Sequence, residues 1–369
     1  MLYYMVCIWS ASQFHTEQIR ARGSSKTASF TPPISILKPL KGTDPGMYES
    51  FRSHCLQDYP QYEILFGVSD ANDPALQLVE QLKKEFPATE IRTIVCEKIL
   101  GTNVKVSNLA QMLPQARYEH LIVNDSDILV EPDYLRNVVA PLANEKIGLV
   151  TCLYRGHASP TLGSRLESLG ISTDFAAGVL TARYLENGIR FGMGSTLAFR
   201  RKDLQSIGGF ESLLDYLADD YQIGYKLAAA GKEVKLSETV VQTSVSDYSF
   251  RDFWRHQLRW GRTIRDSRRS GYFGLIFTFG FAWSVAAVLL AHGAAWAWIL
   301  LATTFALRIV QAIMTGRLCL QDEQTIRFLW LLPLRDLLGV TVWLASFFGH
   351  TIQWRGDLFY LKDGKLIKA

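Results

Sequence analysis

Two stretches toward the C-terminal end most constrain this chain: residues 273–290 carry no charge, and residues 294–315 carry only Arg308. In hydrocarbon every backbone N–H and C=O must be satisfied within the segment, so such stretches are helices. A helix rises about 1.5 Å per residue against a core about 30 Å thick, so both are long enough to span. The turn at His292 and Gly293 is short, and the pair reads as a helical hairpin. Residues 328–348 form a third apolar stretch, interrupted by Pro333, Arg335 and Asp336. It reads as a span or a re-entrant segment, because buried ions are tolerated against protein but costly against lipid. Residues 1–14 are apolar but too short to span alone, and Arg20, Arg22 and Lys26 follow them. That end reads as an interfacial anchor or the remainder of a span. Arginines before the hairpin, with Arg317 and Arg327 after it, put the rest of the chain on the cytoplasmic side.

From about residue 31 to 245 the pattern changes. Short β-rich runs at 34–37, 63–68, 91–95 and 120–123 alternate with helical ones such as 74–86. The alternation predicts an α/β fold with a mostly parallel sheet, whose ligands bind at the carboxyl ends of the strands. Charged residues are 20% and hydrophobic residues 48%, which excludes a disordered chain. The net charge of +4 is mild, and its excess sits at 249–270, next to the apolar stretches. That placement argues against nucleic acid and for a membrane surface. Cys7, Cys55, Cys96, Cys152 and Cys319 are scattered, which argues for reduced core cysteines rather than zinc or disulfides.

Three acidic clusters fall where strands end or helices begin. In Asp70-Ala71-Asn72-Asp73-Pro74, Asp73 is placed to cap a helix with proline in its first turn. Asp70 is then left for a nucleotide base or ribose. Asp125 and Asp127 follow the 120–123 strand directly. Magnesium takes one or two carboxylates plus substrate phosphates, so the pair suits a divalent metal, Mg or Mn, on a diphosphate. Asp219 and Asp220 open a further helix; one caps it and the other is available as a general base, and spacing does not choose between them. Gln257-Leu258-Arg259-Trp260 lies among Arg251, Arg255, Arg262, Arg265, Arg268 and Arg269 on a basic amphipathic helix. Its arginine and tryptophan suit a membrane face and a diphosphate grip equally.

Together and in this order, these positions resemble the D, D, D, (Q/R)-x-x-R-W signature of processive-type and lipid-directed glycosyltransferases of the A fold. The Lys38-Pro39-Leu40-Lys41-Gly42 opening, Asn103-x-Lys105-x-x-Asn108-Leu109 and Trp354-Arg355-Gly356 are similar to the ceramide glucosyltransferase branch. Residues 149–156, 217–221 and 254–260 look like its bacterial hopanoid-biosynthesis members. Asp127 and Gln257 stand where animal ceramide enzymes have Gly and Arg. The resemblance covers residues 34–356. It implies an inverting enzyme of the bacterial inner membrane that moves one sugar, N-acetylglucosamine, from a UDP-sugar donor to a lipid, bacteriohopanetetrol; the alternative is a ceramide glucosyltransferase.

Carried over, Asp70 binds uridine, Asp125 and Asp127 organise metal and diphosphate, and Asp220 is the base. Gln257, Arg259 and Trp260 close the donor site, with Lys41 and Lys105 also on the donor side. Gly194 and Ser195 line the acceptor or form an ordinary turn before a strand. The implied division is an anchor and linker at 1–30, a catalytic domain at 31–248, an interfacial helix at 249–272, spans at 273–350 and a tail at 351–369. A polysaccharide synthase shares Q-x-x-R-W, but two firm and two doubtful spans are few for a polymer channel. A non-catalytic sugar-nucleotide sensor is disfavoured because all four motif positions are present.

Overall fold

The computed structural model describes residues 1–24, 30–354 and 357–368. Lys26, Arg355 and Gly356 lie outside the described residues. Contacts divide the chain into two compact units. One comprises residues 19–154 and 188–244, the other residues 1–18, 155–187 and 245–369.

The first unit is built on an eight-stranded sheet. Its strands are β1 Ile34–Pro39, β2 Tyr62–Val68, β3 Glu90–Val95, β4 His120–Val123, β5 Ile128–Leu129, β6 Ile147–Ala158, β7 Leu197–Arg200 and β8 Glu233–Val245, in the order β3-β2-β1-β4-β7-β6-β8-β5. The β3-β2-β1-β4 half is parallel throughout. β7 then enters antiparallel to both β4 and β6, and β5 pairs antiparallel with β8. The sheet is therefore mixed, though mostly parallel among the strands read from sequence. β1 and β2 are buried almost end to end, as parallel strands covered on both faces must be. At the margin the buried Glu63 carboxylate accepts from the Ser35 hydroxyl at 2.6 Å, the Arg117 N–H at 2.8 Å and Arg92 at 2.5 Å. Such a charge is tolerated because three donors, one of them a guanidinium, meet its two oxygens.

The second unit is helical, with a three-stranded antiparallel sheet of β9 Thr351–Trp354, β10 Asp357–Lys362 and β11 Lys365–Lys368. Leu166, Leu169, Phe253, Ala312, Phe328, Leu331 and Leu332 form its apolar core. The first helix runs Leu2–Ser24, well past the apolar 1–14 stretch. It buries Tyr4, Cys7, Ala11, Phe14 and Gln18, a stripe at helical spacing. Gln18 ends the stripe by donating to the Cys319 carbonyl at 3.0 Å. All five cysteines are free and buried, as expected.

Among the described residues two helices, Ala295–Cys319 and Leu329–Ser346, are long and apolar enough to cross a membrane. The expected first arm of the hairpin differs. Arg269–Thr278 and Gly280–Leu290 are bent by 52° and make a third crossing only if counted together. The break is at Phe279, whose ψ of 51° leaves the helix. Gly280 follows, where a Cβ would lie 3.0 Å from the Tyr4 ring. The 328–348 stretch, conversely, is less interrupted than its sequence suggests. Pro333 sits in the first turn of a helix, where its missing N–H is no loss. Arg335 and Asp336 are paired: Arg335 lies 3.3 Å from Asp174, and Asp336 2.8 Å from Arg308.

Candidate active site

In the first unit the carboxyl ends of β2 and β4 carry two of the acidic clusters, and the third opens the helix Asp219–Ala229. Asp70 closes an Asx turn, accepting from the Asn72 N–H at 2.8 Å, so it has a local task that the sequence did not suggest. Its carboxylate is nonetheless exposed. Asp73 accepts from the Ala75 N–H at 2.9 Å, the expected cap, and also from the Gly42 N–H at 2.9 Å. That second bond fixes the loop carrying Lys41, which is exposed.

The centre of the site is assembled around Gly194. Its N–H donates to Asp220 Oδ2 at 2.7 Å, and its carbonyl accepts from the Asp125 N–H at 3.2 Å. A Cβ on Gly194 would lie 2.6 Å from Asp125 Oδ2, so a larger residue there would have to push that carboxylate aside. Lys105 Nζ lies 2.8 Å from Asp125 Oδ1 and 3.3 Å from Asp219 Oδ2. Asn103 caps the Lys105 helix by accepting from the Val106 N–H at 3.2 Å, which aims that lysine. Asp220 Oδ1 accepts from the Tyr221 N–H at 2.8 Å.

Ala218 stands at the N-cap of the helix Asp219–Ala229, so of the pair only Asp220 serves the helix start, through the first-turn Tyr221 N–H. Burial raises Asp219; burial and then the Asp219 charge raise Asp220 above the usual carboxylate range. Burial alone would lower Lys105, but Asp125, Asp219 and Asp220 outweigh it and hold the ammonium well above its usual range.

Asp127 is deeper. Its Oδ2 accepts a short bond from the Thr243 hydroxyl. Burial and then Asp125 push it up to about 6. Two residues to which the sequence assigned no place in the site join this cluster. Lys38, fully buried at the end of β1, donates to the Asp125 carbonyl at 3.1 Å and is pushed down to about 7 by burial, against Asp127 and Asp125. A lysine closing an otherwise apolar strand was a signal for it. Asp44 accepts from the Ser126 hydroxyl at 2.6 Å, and nothing in its sequence setting marks it. Among the described residues no group of three or more His, Cys, Asp or Glu side chains is arranged to hold a metal.

Ser195 is a correction. Its side chain is buried and donates to the Cys152 carbonyl at 2.9 Å, so it supports the turn from beneath rather than lining an acceptor.

In the second unit the helix Phe250–Ser267 carries Gln257, Arg259 and Trp260. Gln257 is engaged at both ends: Nε2 donates to Glu167 Oε2 at 2.7 Å, and Oε1 accepts from Arg335 at 3.1 Å. It orders its surroundings rather than offering a free amide to a ligand. Trp260 meets Phe175 edge-on at 5.9 Å. Several arginines read as a membrane face have protein partners instead. Arg262 donates to the Phe348 carbonyl at 2.6 Å, Arg265 to that of Ser346, Arg268 pairs with Glu186, and Arg269 lies 3.3 Å from Asp363. Helix C-terminal carbonyls lack internal donors, which is why Arg262 and Arg265 turn to the end of Leu329–Ser346.

The mostly parallel mixed sheet, with carboxylates at its strand ends, is a fold found among glycosyltransferases. The fold is similar to that of a mannosyltransferase from Pyrobaculum calidifontis solved with GDP-Man and Mn2+, with a TM-score of 0.53 and 17% identity over 94% of this chain and 99% of that one. The chain belongs to glycosyl transferase family 21, which it matches over residues 1–367. Two Caenorhabditis elegans proteins are similar along most of its length. Ceramide glucosyltransferase 3 is 25% identical, covering 92% of this chain and 75% of its own. Ceramide glucosyltransferase 1 is 24% identical, with 92% and 73% covered.

Proposed function

We propose that this glycosyltransferase transfers one sugar from a UDP-sugar to the hydroxyl of a membrane lipid with inversion at the anomeric carbon. The observation that carries the reading is the convergence of Lys105, Asp125, Asp219 and Asp220 beside Gly194. Asp220 is the base. Its oxygens are oriented by the Gly194 and Tyr221 N–H groups, and each keeps a lone pair for the acceptor proton. As the lipid oxygen bonds to the anomeric carbon, the bond to the diphosphate breaks, the proton passes to Asp220 and UDP leaves. A single displacement of this kind inverts the centre.

Asp125 and Asp127 suit a divalent cation shared with substrate phosphates: both are carboxylates, and Asp125 helps to raise Asp127, a repulsion that a cation relieves. Such an ion, when bound, neutralises charge on the departing diphosphate. Lys105 stands on the same side. Asp70 and Lys41 are proposed for the uridine end, and Arg259 and Trp260 for the diphosphate, on the strength of the motif resemblance.

The resemblance to hopanoid enzymes favours N-acetylglucosamine and bacteriohopanetetrol in a bacterial inner membrane, with the sheet unit cytoplasmic. The C. elegans relatives favour the second reading, glucose onto ceramide. A matrix of UDP-glucose and UDP-N-acetylglucosamine against both lipids, read by mass spectrometry with EDTA and with Mg or Mn restored, tests it. We expect one sugar per lipid, abolished by EDTA; a polymer, or transfer indifferent to EDTA, overturns the reading in those respects.

A further inference from the structure

The three-stranded sheet has two unlike faces. Ile352, Phe359, Leu361 and Leu366 are buried on one. The other exposes Leu358 at 54%, Tyr360 at 51% and Ile367 at 48%. Register makes these one patch. Tyr360 is directly opposite Ile367, and Leu358 is two residues from Tyr360 on the same side. Lys362 and Lys365, also exposed and also directly opposite each other, continue that face.

The sheet is held at the end of an apolar helix. β9 begins at Thr351 and the helix ends at Ser346, so the connection reaches at most about 18 Å. Arg262 and Arg265 close that junction by donating to the Phe348 and Ser346 carbonyls. The β10–β11 turn is fastened to the Phe250–Ser267 helix by the pairing of the Gly364 N–H with Asp266.

We propose that this face is a bilayer-docking surface: Leu358, Tyr360 and Ile367 enter the interfacial region while Lys362 and Lys365 meet anionic headgroups. Three features select lipid over a protein partner. The helix leading into the sheet is long and apolar enough to span, and the short connection keeps the patch within reach of the surface where that helix ends. Tyrosine is suited to the headgroup level, with an apolar ring and a polar tip. Lysines beside apolar side chains bury their stems and present charge to anionic lipid. This proposal is independent of which sugar or acceptor the enzyme uses.

Depth measurement by spin-label EPR tests it on the full chain in nanodiscs of phosphatidylcholine with phosphatidylglycerol. Tyr360→Cys and Ile367→Cys carry a nitroxide, the native cysteines being buried, and Glu80→Cys on an exposed helix position is the aqueous reference. We expect labels at 360 and 367 to be severalfold more accessible to oxygen than to a nickel chelate, and the label at 80 the reverse. Lys362→Glu with Lys365→Glu should reduce that preference. Nickel access at 360 and 367 equal to that at 80 overturns the proposal. So does spin–spin broadening that vanishes on dilution with unlabelled chain, which would reveal a second copy, or indifference to the charge reversal.

Discussion

The Gly194 N–H donates to Asp220 Oδ2 at 2.7 Å, so one glycine orients the proposed base while making room for Asp125. Gly194→Ala would force a methyl against Asp125 Oδ2, which that Cβ would otherwise meet at 2.6 Å. A displacement of order 1 Å at a reacting centre costs about 100-fold. We expect kcat/KM to fall by about that factor while the thermal midpoint changes little, because the carboxylate faces the site rather than the core. A large loss of stability with proportionate loss of activity would contradict this.

Asp220→Asn should lower kcat by about 10²–10⁴-fold and leave UDP binding by calorimetry intact. The pH dependence has a definite sign. The wild-type base works unprotonated, so kcat/KM rises with pH, with an acid limb above the ordinary aspartate value of about 4. Stability runs the other way. Between the unfolded value and the raised folded one, the folded state keeps a proton that the unfolded chain has lost, so stability falls as pH rises through that window. Asp220→Asn removes this cost, so its thermal midpoint should gain on wild type at neutral pH. The gain should disappear below about pH 4, where both states of the wild type are protonated. Unchanged turnover in the variant removes Asp220 as the base.

The parallel half of the sheet was legible because its strands are apolar runs ending at polar punctuation. The expected 34–37, 63–68, 91–95 and 120–123 became Ile34–Pro39, Tyr62–Val68, Glu90–Val95 and His120–Val123. The antiparallel entry of β7 was not, since pairing direction is set by long-range connection and leaves no local trace. Hydropathy likewise averaged across Phe279 and Gly280 and hid the bend. Within the site, residue type marked Asp125 and Asp127. What distinguishes Asp220 from Asp219 is a bond to Gly194, which lies far away in sequence. The arginines of Phe250–Ser267 have the composition of a membrane face, yet Arg262 and Arg265 serve carbonyls at another helix's end. Composition records charge but not its partner.

Lys38 offers a separable test of electrostatics. It is fully buried, and its ammonium donates to the Asp125 carbonyl at 3.1 Å. Lys38→Met is one atom shorter and removes an amine whose burial, which pushes it down to about 7, costs stability. The bond holds the Asp125 backbone, and a misplacement of order 1 Å costs about 100-fold, so its loss should lower kcat/KM by about 10–100-fold. The thermal midpoint should hold or rise. Full activity in the variant would show that Lys38 is only a core residue.

Gln257 and Arg335 should behave as one unit. Gln257 bridges Glu167 at 2.7 Å and Arg335 at 3.1 Å, and Arg335 continues to Asp174 at 3.3 Å. Burial would raise Glu167, but His256, Arg335 and Gln257 together hold it below the usual range, so its carboxylate is charged within the network. Gln257→Ala and Arg335→Met should each raise the donor KM more than they lower kcat, because each loosens the helix bearing Arg259 and Trp260 without touching Asp220. In the double variant the losses should fall short of their sum, with a coupling of about 0.5–3 kcal/mol. Arg335→Lys should restore part of the loss, since it keeps the charge beside Asp174 but lacks the fork that also reaches Gln257. Additivity within about 0.5 kcal/mol would mean that the two side chains act separately, and that Gln257 serves the donor by direct contact instead.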